Sequence, residues 1–186
     1  MAEMDDKLAA ALALAIARHP RANLLLLASA AGVSKATLYR ISPTREGLVT
    51  LMLARARHHM QTSLANAELA QPPFQDALER LTANLMTGRE LYLLWNASLW
   101  MNVSDPGSDD MQGYTASFFS DALEAFFLAG QQAGVFRIDM PSRWLAKSYD
   151  FLLYAAIESA QRGEIATVGM PALVNRLFFD GAINAA

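Results

Sequence analysis

The chain of 186 residues carries 15 Lys and Arg against 18 Asp and Glu, a net charge of −3, and has no cysteine. The missing thiols exclude disulfides and thiolate metal sites and fit a reducing cytoplasm; the length allows one or two domains with a sizeable core. A hydrophobic fraction of 53%, rich in Ala and Leu and poor in Gly and Pro, favours an all-α protein.

The net charge hides an asymmetry. Residues 1–65 hold eight Lys and Arg against four acids, +4, whereas residues 66–186 hold seven against fourteen, −7. A basic head on an acidic body is the distribution expected of a nucleic-acid binder with a separate second domain.

Turn signals divide the chain into about nine helices with no convincing strand. The first, residues 5–18, is stopped by Pro20. Its apolar run at 8–17 is too short to span a bilayer. It also follows Glu3, Asp5 and Asp6, where a secretory signal would be basic. The second helix begins after the capping Asn23 and ends at Gly32, the third covers 35–41, and the fourth starts at Ser42 or Thr44 and runs to about 67. Gln71-Pro72-Pro73 breaks the chain before a helix from 74 to about 88 and another from 91 to about 101. The Asp-Pro-Gly loop at 104–110 precedes a helix at about 111–133, closed by Gly134. Residues 135–138 read as an extended connection, followed by helices at 142–162 and from 170 to the C-terminus.

Residues 28–46 carry most of the functional information. Ala28 is small enough for two helices to touch, Gly32 tolerates positive φ, and Ser34 can cap a new helix. Val33, Leu38 and Ile41 can pin that helix, leaving Lys35, Thr37, Tyr39 and Arg40 as donors for phosphates and base edges.

At these residues the chain resembles the TetR-type transcriptional regulators. The resemblance rests on Gly-Val-Ser-Lys-Ala-Thr-Leu-Tyr at 32–39 followed by Pro43-Thr44-Arg45-Glu46, and it is close over about residues 8–50. Two places depart from the family pattern. Ile41-Ser42 stands where the family has an aromatic second residue, so the apolar plug is expected to shift to Ile41. Leu24-Leu25-Leu26-Leu27 replaces an alternating pattern; Leu24 and Leu27 can both face the core, while Leu25 and Leu26 cannot.

The resemblance implies a three-helix DNA-binding domain at 1–50, a linking helix to about 67, and a ligand-binding and dimerisation domain at 68–186. It implies DNA contacts from Asn23, Ser34, Lys35, Ala36, Thr37, Tyr39, Arg40, Thr44 and Arg45, the last two beside the unpaired N–H groups that open the fourth helix. It also implies a pocket among the fifth to eighth helices, where Met86, Tyr92, Trp95, Asn96, Trp100, Phe118 and Phe119 suit a large apolar molecule. Ligand there would shift the fourth helix and release the operator. Helix-turn-helix proteins bind as dimers, and the last two helices offer Trp144, Tyr149, Leu152, Leu153, Leu173, Leu177 and Phe178 for a four-helix interface.

No catalytic constellation or cofactor motif is found, so an enzyme is not expected. Asp105, Asp109 and Asp110 do not match a calcium loop, and His58-His59 point to different faces of a helix, so no metal site is expected. The leading reading is a cytoplasmic, homodimeric repressor responsive to a small apolar molecule. The alternative is a TetR-like protein with weakened DNA binding that acts through protein partners.

Overall fold

The computed structural model describes residues 4–103 and 117–183, with backbone alone for 99–103 and 117. The described residues form nine helices: α1 (Asp6–Arg18), α2 (Leu24–Ala30), α3 (Lys35–Ile41), α4 (Arg45–Ala67), α5 (Phe74–Thr87), α6 (Arg89–Val103), α7 (Ser117–Gln132), α8 (Ser142–Gln161) and α9 (Met170–Ala182). The all-α reading therefore holds. Most boundaries fall within two residues of the turn and cap signals; Tyr114 and the expected start of α7 at 111–116 lie outside the described residues. The extended segment at 135–138 makes one antiparallel bridge, Phe136 with Ile183.

By contact density the chain divides into two compact units, residues 1–59 with 88–115 and residues 60–87 with 116–186. The first thus takes in α6, and α4 runs on from one unit into the other. In the first unit, α1 packs on α6 and on α2 and buries Ala9, Leu12, Ala13 and Ile16, one face at the helical period. Asp5 opens α1 by accepting a 2.7 Å bond from the Leu8 N–H.

The second unit is organised by aromatic rings. Phe74, Phe126, Phe127, Phe136, Tyr149 and Phe178 form a continuous cluster, with centroids 5.0 Å apart for Phe127–Phe136 and 5.3 Å for Tyr149–Phe178, mostly edge to face. Beside it lies a polar trio. Thr82 Oγ1 is 2.8 Å from the Tyr149 hydroxyl and 2.6 Å from Asn175 Oδ1, tying α5 to α8 and α9. Burial raises the Tyr149 pKa far above the usual phenol range, so its hydroxyl keeps its proton and remains available as a donor to Thr82.

Gly130 on α7 admits the Phe136 ring against its backbone: a Cβ there would lie 2.3 Å from a ring carbon. Overpacking of this kind costs about 1–3 kcal/mol, against a gain of about 1 kcal/mol from replacing glycine in a helix. Gly130→Ala should therefore lower stability by up to about 2 kcal/mol, measured by urea unfolding, and Phe136→Leu in the same chain should recover part of the loss.

Candidate nucleic-acid interface

The site begins with a capped turn. Asn23 Oδ1 accepts from the Leu26 N–H at 3.0 Å and starts α2. The helix ends in a Schellman arrangement: the Gly32 N–H donates to Ser29 at 3.1 Å, and the Val33 N–H to Ala28 at 2.9 Å. Gly32 has φ of +70°, the left-handed conformation that closure requires. Ser34 Oγ then accepts from the Thr37 N–H at 3.0 Å, opening α3. The two helices meet at 111°, within the range of helix-turn-helix units.

Leu38 is fully buried and Val33 and Ile41 are half-buried, so α3 is seated by one face. Its other face exposes Lys35, Ala36, Tyr39 and Arg40. Lys35 Nζ lies 5.2 Å above the Tyr39 ring, a cation–π contact that groups a charge and a hydroxyl at one end of the surface. Thr37 is half-buried, its Oγ1 2.9 Å from Ser34 Oγ. No acid occurs between residues 28 and 45. The surface is thus a short, basic, donor-rich ridge.

The departures from the family pattern resolve differently from one another. Leu24 and Leu27 are buried, while Leu25 and Leu26 are each 58% exposed, as the helical period requires. Leu26 borders a cleft of about 630 Å3 beside the α1–α2 connection, which the sequence did not reveal. The expected shift of the plug to Ile41 does not occur: Ser42 takes the buried position, and Ile41 stays half-exposed. The Ser42 hydroxyl is accommodated by donating to the Thr44 carbonyl at 2.8 Å.

Thr44 Oγ1 accepts from the Gly47 N–H at 3.0 Å and caps α4. Arg45, expected beside a phosphate, turns back into the fold. Its Nε donates to the Ala22 carbonyl at 3.0 Å, Nη2 donates to the Pro20 carbonyl, and Nη1 lies 3.9 Å from Glu46. These acceptors are over twenty residues away in sequence, beyond any local signal.

Sequence comparison finds transcriptional regulators. HTH-type transcriptional regulator NfxB of Pseudomonas aeruginosa is 35% identical over 182 residues, covering 98% of this chain and 96% of its own. HTH-type transcriptional repressor LfrR of Mycolicibacterium smegmatis is 30% identical over 155 residues, 81% of this chain and 75% of its own. The crystal structure of the TetR-like regulator LfrR from Mycobacterium smegmatis matches with a TM-score of 0.69 at 20% identity, covering 96% of this chain and 95% of that one. The chain belongs to the TetR family. The proflavine complex of LfrR also shares the fold, with a TM-score of 0.63 at 22% identity over 97% and 96% of the two chains. No protein-family model matches the sequence.

The TetR-like body distributes the remaining candidates. Tyr92, Trp95 and Asn96 are buried in the first unit; Met86 and Phe119 are buried and Phe118 half-buried in the second. The Trp100 side chain lies outside the described residues. Of the residues named for an interface, Tyr149, Leu153 and Phe178 are core residues of the second unit and do not reach its surface. Leu152 is half-buried, whereas Trp144, Leu173 and Leu177 are exposed, joined by Phe151 and Tyr154, which the sequence reading had not singled out. Among the described residues no cluster of His, Asp or Glu could hold a metal ion, and no single helix is long and apolar enough to cross a membrane.

Arg45 now has a structural role that can be measured without DNA. Arg45→Met removes two donors from the Pro20 and Ala22 carbonyls and should lower stability by about 1–3 kcal/mol in urea unfolding. Unchanged stability with weakened DNA binding would instead assign Arg45 to phosphate.

Proposed function

We propose that this chain is a cytoplasmic, homodimeric repressor that holds operator DNA through α3 and releases it when a small apolar molecule enters its body. The observation that carries the reading is the ridge of Lys35, Ala36, Tyr39 and Arg40, presented by a capped turn and seated on Leu38. Lys35, Thr37 and Arg40 would meet base edges or phosphates in the major groove, and Tyr39 would reach a phosphate through its hydroxyl. Asn23, Ser34 and Thr44 would contact the backbone while capping, since an accepted N–H leaves their remaining polar capacity free. Arg45 would act chiefly by fixing the start of α4, with Nη1 nearest to any phosphate.

In this reading residues 1–50 bind DNA, α4 links onward to about 67, and residues 68–186 bind ligand and dimerise. Trp144, Phe151, Tyr154, Leu173 and Leu177 would form the self-complementary face, with Leu152 at its edge. An apolar patch of this kind on a soluble helix pair needs a cover, and a second copy supplies one by symmetry. The effector would be taken up by the body of the chain, where buried aromatic and methionine side chains suit an apolar molecule; the relative LfrR has been crystallised with proflavine. Such an effector lowers operator affinity if it prefers the state that does not hold DNA. A second reading, in which a TetR-like protein works through protein partners with weakened DNA binding, draws on the exposure of Leu25 and Leu26 and on the buried Ser42.

Gel-shift titration against the DNA flanking the gene, at several salt concentrations, separates these readings. The repressor should prefer flanking over random DNA, with log K falling linearly in log salt by about 0.9 for each phosphate neutralised. Loss of that preference would favour the second reading. Thr37→Ala and Tyr39→Phe should each weaken specific binding by roughly tenfold while leaving the dimer intact. Trp144→Glu combined with Leu177→Lys should sediment as a monomer and lose the tight complex.

A further inference from the structure

The helices α5 and α9 border an open cleft of about 690 Å3, wholly within the second unit, for which the reading above has no use. Asp76, Glu79 and Arg80 lie along its α5 side at the three- and four-residue spacings that share a helix face, and Arg176 stands on the α9 side. Among the described residues, no ion pair joins any of these four charges. Arg80 is nonetheless anchored: its Nε donates to the Ala67 carbonyl at 3.1 Å, which leaves its terminal nitrogens for the cleft. Asn175 also lines the cleft and is only 7% exposed. Its Oδ1 is engaged by Thr82, so Nδ2 is the amide donor left for a ligand.

Charge of both signs without internal pairing restricts what this cleft can take. A purely anionic molecule would meet the repulsion of Asp76 and Glu79, and a purely cationic one that of Arg80 and Arg176. A molecule bearing both charges meets partners of opposite sign for each of them. A guanidinium offers a carboxylate paired N–H donors, and an ammonium is well matched by two carboxylates. We propose that the α5–α9 cleft binds a small zwitterion, its carboxylate held by Arg176, Arg80 and the Asn175 amide and its ammonium by Asp76 and Glu79. The Asn175–Thr82–Tyr149 trio connects the ligand's carboxylate end to the buried core of α8.

Isothermal titration of the full chain with glycine, γ-aminobutyrate and 6-aminohexanoate tests this, because these probes hold the two charges at increasing separation. Acetate and propylamine, with one charge each, serve as controls. At least one zwitterion should bind roughly tenfold or more tightly than either control. Arg176→Gln and Asp76→Asn, both at exposed positions, should each weaken it by roughly tenfold without moving the unfolding midpoint. The proposal is overturned if none of the three zwitterions binds at about 10 mM. It is equally overturned if acetate binds as tightly as the best zwitterion, or if either variant binds it like the parent.

Discussion

Two helices of seven residues each carry the DNA-binding reading, and neither is long enough to hold its own shape in water. Isolated helices shorter than roughly 12–15 residues are marginal because nucleation fixes several residues for a single hydrogen bond. The geometry of α3 is therefore borrowed from what lies beneath it. Leu38 is fully buried, and burying a side chain of that size contributes about 1.5–3 kcal/mol. On α2, which packs against α3, Leu27 and Ala28 are buried, and the turn at Gly32 joins the two helices at 111°. Lys35, Tyr39 and Arg40 point outward because Leu38 points inward.

The same shortage of intrinsic stability explains the roles of the polar residues around the head. Asn23, Ser34 and Thr44 each satisfy a backbone N–H that a short helix would otherwise leave unpaired. Arg45 ties the start of α4 to the connection between α1 and α2, so three helices meet at one guanidinium. Residues proposed to contact phosphate thus also build the platform. On the proposed reading, a head with so few exposed donors would act with a second head on the same DNA, which would link the apolar stripes of α8 and α9 to α3.

Much of the fold could be read locally. Asp5, Asn23, Ser34, Pro20, Gly32 and Gly134 act within one turn of their own positions, and the helices begin and end where they say. The burial of Leu24 and Leu27 with exposure of Leu25 and Leu26 follows from the helical period alone. What escaped the sequence depends on distant partners. The carbonyls that hold Arg45 belong to Pro20 and Ala22; Ser42 is the exception, since its acceptor is the Thr44 carbonyl two residues on. In α8 and α9 apolar residues occur on more than one face, so periodicity did not separate the inward Tyr149, Leu153 and Phe178 from the outward Trp144, Leu173 and Leu177. The charged α5–α9 cleft was hidden for a related reason, as Asp76 and Arg176 are a hundred residues apart and each alone reads as a solvated surface charge.

The central claim is that α3, and not another surface of this TetR-family chain, meets DNA. Amide hydrogen exchange of the full chain, with and without a DNA fragment that it retains in a gel, addresses this residue by residue. The account predicts slowed exchange concentrated at residues 34–45, with the strongest effect at the exposed turn of α3. Protection confined to the second unit, or α3 exchanging equally fast with and without bound DNA, would contradict it.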